Sequence, residues 1–305
     1  MTVGWVAATS ADARWQARLV GLDGAQAIAH VESWPQARSL LASTVYGNTL
    51  ALDADRHAAH RAVAATTAWY LRVVAGWLPA NGAGLARLMA GPVEISNVEQ
   101  HFDRLAGDET AAPVDLGSLA VAWPRIAATT SVGQVRTVLR HSSWGDPGVG
   151  EPPAIIVGLW LSWLRRLSRQ VDEFGPEARG AAAVVLARET LAFERTLAHP
   201  AGEDEDRLLT RAWRNAATLP DLQRRLPDSA GWALAPVDSV DDLWKAELGV
   251  VAAFALKAQQ LLARPRSDRS AVAAFMVLVL VDRWRVDAAI EVAGRRPREV
   301  FDDVA

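Results

Sequence analysis

His57 and His60 stand four and seven positions after Asp53, in the pattern D-x-x-x-H-x-x-H. On a helix this spacing puts three possible metal ligands on one face. No fourth ligand is apparent beside them. The plainer chemistry is capping: Asp53 or Asp55 accepts amides at a helix start, both histidines face solvent, and no metal is expected. GEDED (202–206) is the densest acidic run. Its carboxylates could hold a divalent cation, as acidic motifs do in all-α prenyl-transfer enzymes. It also follows Pro200 and precedes RLLTRAW, so Glu203 and Asp204 suit the positive end of a helix macrodipole, and that reading is preferred. Asp241-Asp242 before Leu243-Trp244-Lys245 is a helix start of the same kind. ANGAGLARL (80–88) has glycines but lacks the Lys-Ser/Thr of a nucleotide loop, and it reads as a helix–helix turn. The remaining histidines are isolated, with no nucleophile elbow beside them. No catalytic residue, metal or cofactor is therefore predicted.

Two arginine groups remain. Arg165, Arg166 and Arg169 form one basic patch, and Arg295, Arg296 and Arg298 another. Each is either a solvated helix face or a rim for an acidic partner. The net charge of −3 supplies no general basic field for nucleic acid or anionic lipid. The absence of cysteine removes disulfides, thiolate metal sites and thiol nucleophiles, and fits a cytoplasmic protein.

The elements that would position these groups are helices. Half of the 305 residues are hydrophobic and 22% are charged, and Ala, Leu, Arg and Glu are common. Pro and Gly gather at LPANGAG (78–84), GDPGVGEPP (145–153), LAHPAGEDED (197–206), RRLPDSAGWALAP (224–236) and ARPRSD (263–268). Between these breaks, apolar residues recur at helical spacing, as in Trp69, Leu71, Val73, Val74 and Trp77, and again in Leu159, Trp160, Trp163, Leu164 and Leu167. Convincing strands are few, so the fold class is all-α. The thirteen tryptophans mostly lie on apolar helix faces, where core packing accounts for them. The run Ala271–Val281, AVAAFMVLVLV, reaches only ~16 Å as a helix against a hydrocarbon core of ~30 Å, so it reads as a buried helix. The N-terminal MTVGWVAATSADARW lacks a basic segment followed by an apolar one, so no secretion signal is expected.

One phrase is written twice. SWPQARSLLASTVYG (33–47) and SVGQVRTVLRHSSWG (131–145) align without a gap, 98 residues apart. Ser33 with Gln36, and Ser131 with Gln134, have the spacing of capping boxes. Ala37, Leu40 and Leu41 in one copy, and Val135, Val138 and Leu139 in the other, supply an apolar face. Tyr46-Gly47 and Trp144-Gly145 close the phrase: the aromatic is expected to pack back, and the glycine to turn left-handed. TLPDLQRRLPDSAGW, from Thr218 to Trp232, is a weaker third copy. Three related helical units are expected, over 1–110, 111–202 and 203–305.

This layout resembles the peripheral C/d subunits of rotary V-type ATPases, the V0D/AC39 family. ARWQARLVG (13–21) leading into ESWPQARSLLASTVYGNTL (32–50) is similar to that family's opening. GPVEISNVEQHFDRLAG (91–107) resembles its Asp-x-x-Asn-Leu-Lys/Arg signature, with Glu94 for the Asp and Asn97 for the Asn. DRWRVDAAIEVAGRRPREVFDDVA (282–305) resembles its closing helices. Glu99 departs from the basic residue usual there, and the Asn is missing from the helices around Arg188–Arg195 and Trp284–Ala293. The resemblance implies a non-catalytic subunit built as a funnel of three units, with a central cleft lined by helix faces. It would join the rotor shaft to the membrane proteolipid ring in ATP-driven proton transport, peripheral on the cytoplasmic face. The competing readings are an all-α metal-dependent enzyme and a helical adapter.

Overall fold

The structure is a computed structural model. It describes residues 4–6, 9, 15–148, 150–195, 208–209, 213, 216–264 and 267–295. Every regular element among the described residues is a helix. In chain order these are α1 (Gly21–Ala29), α2 (Trp34–Ala42), a 3-10 turn (Val45–Thr49), α3 (Arg56–Trp77), α4 (Ala83–Met89), α5 (Gly91–Ala106), α6 (Trp123–Ile126), α7 (Val132–Arg140), α8 (Pro152–Gln170) and α9 (Gly175–Ala187). A π-helical turn (Arg188–Ala192) follows α9. Then come α10 (Leu219–Arg225), α11 (Asp228–Gly231), α12 (Leu243–Leu262) and α13 (Arg269–Val292).

The helix starts follow from local chemistry. Asp55 caps α3, its Oδ1 accepting the Ala58 amide at 2.7 Å. Asp268 caps α13 by accepting from Ser270 and Ala271 at 3.0 and 3.1 Å. From Ala271 to Val279 every side chain of α13 is buried. Over this stretch the helix is apolar all round because it is core on all sides. No helix among the described residues is long and apolar enough to cross a membrane.

The chain forms two compact units, and they do not follow the sequence period. Unit 1 joins Met1–Met89, Val114–Leu119 and Ala255–Ala305; unit 2 holds Ala90–Pro113 and Ala120–Phe254. In unit 1, α13 packs on α1 and α3, and α2 packs on α1 and the 3-10 turn. In unit 2, α8 packs on α5 and α9, α9 packs on α11, and α6 packs on α5 and α7.

The recurring phrase takes one backbone form. Ser33, Ser131 and Thr218 are the N-caps of α2, α7 and α10, all with extended dihedrals (−148°/154°, −154°/154° and −139°/158°). Each helix buries the residues four and eight positions on: Ala37 and Leu41, Val135 and Leu139, Leu222 and Leu226. The exits of the first two copies match bond for bond. The Thr44 hydroxyl donates to the Leu41 carbonyl at 2.7 Å and accepts the Tyr46 amide at 3.2 Å. The Ser142 hydroxyl donates to the Leu139 carbonyl at 2.7 Å and accepts the Trp144 amide at 3.1 Å. The amides of Gly47 and Gly145 then bond the carbonyls of Thr44 and Ser142.

Several details differ from the sequence reading. Ser131 accepts the Gln134 amide at 3.4 Å, but the Ser33 side chain makes no capping bond. Neither Gln reaches the N-cap amide. Gln36 accepts from Glu32 and Gln134 from Thr130, one residue earlier, at 3.1 and 2.8 Å. Leu40 is 39% exposed, because the buried stripe runs through Ala37 and Leu41. Trp232 does not close the third copy: Leu226-Pro227 ends α10, and α11 intervenes.

The two phrase-ending glycines are needed for different reasons. Gly145 is left-handed, at φ 80°. Gly47 is not; it lies within the 3-10 turn, where a Cβ would stand 2.0 Å from the Ala42 carbonyl oxygen. Gly47→Ala is expected to destabilise the protein by ~3 kcal/mol or more, since backbone rather than a mobile side chain must give way. Gly145→Ala has open space around its Cβ and should cost only the left-handed penalty of ~1–2 kcal/mol. Urea unfolding of the two variants measures the contrast; equal losses would contradict it.

Candidate functional site

Several carboxylates are buried among the helices, and two of them do the work of helix caps. In unit 1, Asp282 of α13 is 2% exposed. Its Oδ1 accepts the Gly21 amide at 2.7 Å and its Oδ2 the Val20 amide at 3.2 Å. These residues open α1, whose N-cap Val20 has no side-chain acceptor to offer. Oδ2 also takes the Tyr46 hydroxyl at 2.8 Å, which ties the first phrase copy to the same carboxylate. In unit 2, Glu94 of α5 is 1% exposed. Its Oε1 accepts from Ala122 and Trp123, each at 2.6 Å, and both oxygens lie within 3.1 Å of the Val121 amide. Here too the N-cap, Ala122 of α6, is apolar. Each carboxylate therefore satisfies amides that the local sequence leaves open.

Glu177 of α9 is buried as well, and so is Glu189, in the π turn of unit 2. Arg195 donates to Glu189 at 2.9 Å, and the Arg188 Nε stands 3.7 Å away. Along the chain Glu94, Glu189 and Asp282 lie 95 and 93 residues apart, close to the interval of the phrase, and Glu177 falls outside that spacing.

Burial raises the Asp282 carboxyl above the ordinary carboxylate range, against the opposing pull of Gly21, Tyr46 and Val20. Ionised Asp282 thus opposes folding. The cost is absent below the ordinary range and grows as pH rises through it toward the folded value. The Tyr46 hydroxyl is held well above its usual range by burial first, then by the Asp282 charge.

The histidines separate. His57 is exposed. His60 does not face solvent freely: its Nδ1 lies 2.7 Å from Asp287 Oδ1 and its Nε2 2.8 Å from Glu291 Oε1, both on α13. That partner set was invisible locally, being 227 and 231 residues away. Asp53 is exposed while Asp55 provides the cap. Among the described residues, no three His, Asp or Glu side chains are grouped to hold a metal ion.

Unit 2 also carries a half-open cleft of about 380 Å³. Phe102, Ile156, Trp160 and Phe193 give it apolar walls; Glu99, Asp103, Arg188, Glu189 and Arg195 give it charge. Arg188 is committed to Glu247 at 2.7 Å. The lining includes no His, Ser, Thr or Tyr. Glu189 pairs with Arg195, while burial and the neighbouring Asp103 charge raise the Glu99 carboxyl above its ordinary value.

Asn97 is fully buried on α5, one turn beyond Glu94. Trp144 is 3% exposed. Arg166 is half-buried, with its guanidinium 5.3 Å over the Trp144 ring, and burial lowers its pKa. Arg165 is half-buried and Arg169 exposed. Arg295 pairs with Glu291 at 3.0 Å. Arg296, Arg298 and GEDED lie outside the described residues. No family model matches the chain, and no curated protein matches it.

Proposed function

We propose that the protein is a non-catalytic coupling subunit of a rotary V-type ATPase, joining the rotor shaft to the proteolipid ring from the membrane's cytoplasmic side. The observation that carries this reading is the phrase recurring with the same exit hydrogen bonds in both compact units, as expected of a duplicated or triplicated helical body. The mechanical task is to pass torque without yielding. A helix whose first amides are held by a carboxylate of another helix resists sliding and fraying, and Asp282 and Glu94 provide such ties. Large aromatics in the core add buried area at little conformational cost. The unit 2 cleft has ion-paired Arg188, Glu189 and Arg195 in its wall and no His, Ser, Thr or Tyr, which supports binding of polar surface better than catalysis by a nucleophile and its base.

On this reading the three units over 1–110, 111–202 and 203–305 form a funnel, and its cleft receives the shaft. No cofactor is required. Pull-down from native membranes, with identification of co-purifying subunits, is the test. Proteolipid and shaft subunits are the expected partners, and purified shaft subunit should bind at micromolar concentration. Absence of both, with a chelator-sensitive activity in the purified protein, would replace this reading with the enzyme.

A further inference from the structure

We propose that His60 is a proton-operated clasp on the seam between α3 and α13 of unit 1, engaged when the ring is an imidazolium and slack when it is neutral. The geometry requires this. Both ring nitrogens sit within 2.8 Å of carboxylate oxygens. An ionised carboxylate only accepts, whereas a neutral imidazole has one N–H and one lone pair. A neutral ring therefore points a lone pair at an anion on one side or the other. Only the cation donates to both.

The helix partners have their own need for that cation. Asp287 and Glu291 are four residues apart on α13, where like charges repel. Arg283 takes the Oδ2 of Asp287 at 3.3 Å, and Arg295 takes the Oε2 of Glu291 at 3.0 Å. His60 fills the place between them, making a chain of alternating charge. The other groups near it are committed or set apart. On α3, Arg56 donates to the carbonyls of Ile290 and Ala293, and His57 is exposed. Arg61, one position on, is the remaining cation of that turn. On the 3-10 turn, Tyr46 donates to Asp282. On α4, Arg87 donates to the Ser118 carbonyl. Beneath the clasp, Ala59 and Val63 meet Val286, Ala289, Ile290 and Ala293 in one apolar cluster.

Burial disfavours the charged ring and is the largest single influence. Asp287 and Glu291 together outweigh it, so the His60 pKa is raised. A raised value means the contact is fully made below the ordinary imidazole range and is lost as pH rises through the folded value. The clasp stands apart from the coupling reading, since its test involves neither shaft nor ring.

The test follows the ring and the seam in the full chain: NMR titration of the His60 ring carbons, with amide hydrogen exchange of residues 56–64 across the same pH range, corrected for intrinsic chemistry. The wild-type ring should titrate above ~6.5. Seam exchange should rise by about tenfold for each pH unit by which that midpoint is raised. Asp287→Asn and Glu291→Gln should each lower the midpoint, and His60→Gln should remove the pH step. A wild-type ring titrating at or below its ordinary value, or seam exchange indifferent to its titration, overturns the proposal; the wild-type measurement decides even where a variant fails to fold.

Discussion

Glu94→Ala is expected to destabilise unit 2 by about 4 kcal/mol, among the largest losses available to a single polar substitution. The side chain accepts three consecutive amides, and those of Ala122 and Trp123 are buried. A buried donor left without an acceptor costs ~1–3 kcal/mol, so two such donors plus the part-buried Val121 account for the figure. Water cannot readily step in, because Ala122 is wholly buried and Trp123 is 8% exposed. Glu94→Gln is the informative companion. Its amide oxygen can still receive the three N–H groups that meet at Oε1, so the losses are the charge assistance and the second Val121 contact at Oε2, together ~1–2 kcal/mol. Urea unfolding followed by circular dichroism reads both. A loss under ~1 kcal/mol for the alanine variant would mean that these amides find other acceptors.

Trp144→Ala should cost ~3–5 kcal/mol, as truncation of a buried aromatic does when its surroundings cannot collapse. The ring lies against Gly91, where an added Cβ would stand 3.2 Å from its edge, and carries the Arg166 guanidinium on its face. The contrast between the two phrase copies sharpens the test. The Trp144 indole N–H is buried with no acceptor among the described residues, so Trp144→Phe gives up volume but no hydrogen bond. Tyr46→Phe changes little volume but removes the hydroxyl donor to Asp282, worth ~1.5–3 kcal/mol for a charged acceptor. The aromatic of the first copy is thus valued for its polar end and that of the second for its bulk. A Tyr46→Phe variant as stable as wild type would break that distinction.

Much of the helical layout was readable from the letters. Proline and glycine clusters mark the breaks, and Ser33, Ser131 and Thr218 mark three helix starts, because capping is decided within four residues. The burial of Ala271–Val279 was legible because a run apolar on every side has no exposed face to offer. What escaped the reading depends on distant groups. Nothing near Val20 or Ala122 says where their amides go; the answer lies 262 and 28 residues away. The available signal was a lone carboxylate set among apolar neighbours, Asp282 just after AVAAFMVLVLV and Glu94 within GPVEISNV. Such a residue must find donors once buried. His60 escaped for the same reason: a histidine on an amphipathic helix faces solvent until the opposing helix is known. Gly47 escaped because its neighbour is the backbone of Ala42, a clash that no pattern of side chains encodes.

The seating of α1 on α13 sets the order in which the protein can be finished during synthesis. The Gly21 amide and its Asp282 acceptor are 261 residues apart, so α1 leaves the ribosome long before its partner exists. At ~5–20 residues per second, the interval between the end of α3 and the end of α13 is on the order of 10–40 s. All of unit 2 is made within that interval. Throughout it, the faces of α1 and α3 that α13 will cover stand open, which is when a nascent chain is most open to chaperone capture or aggregation. A chain released before α13 would keep its first helices exposed for good. Among the described helices α13 is made last, and it is the one that packs on α1.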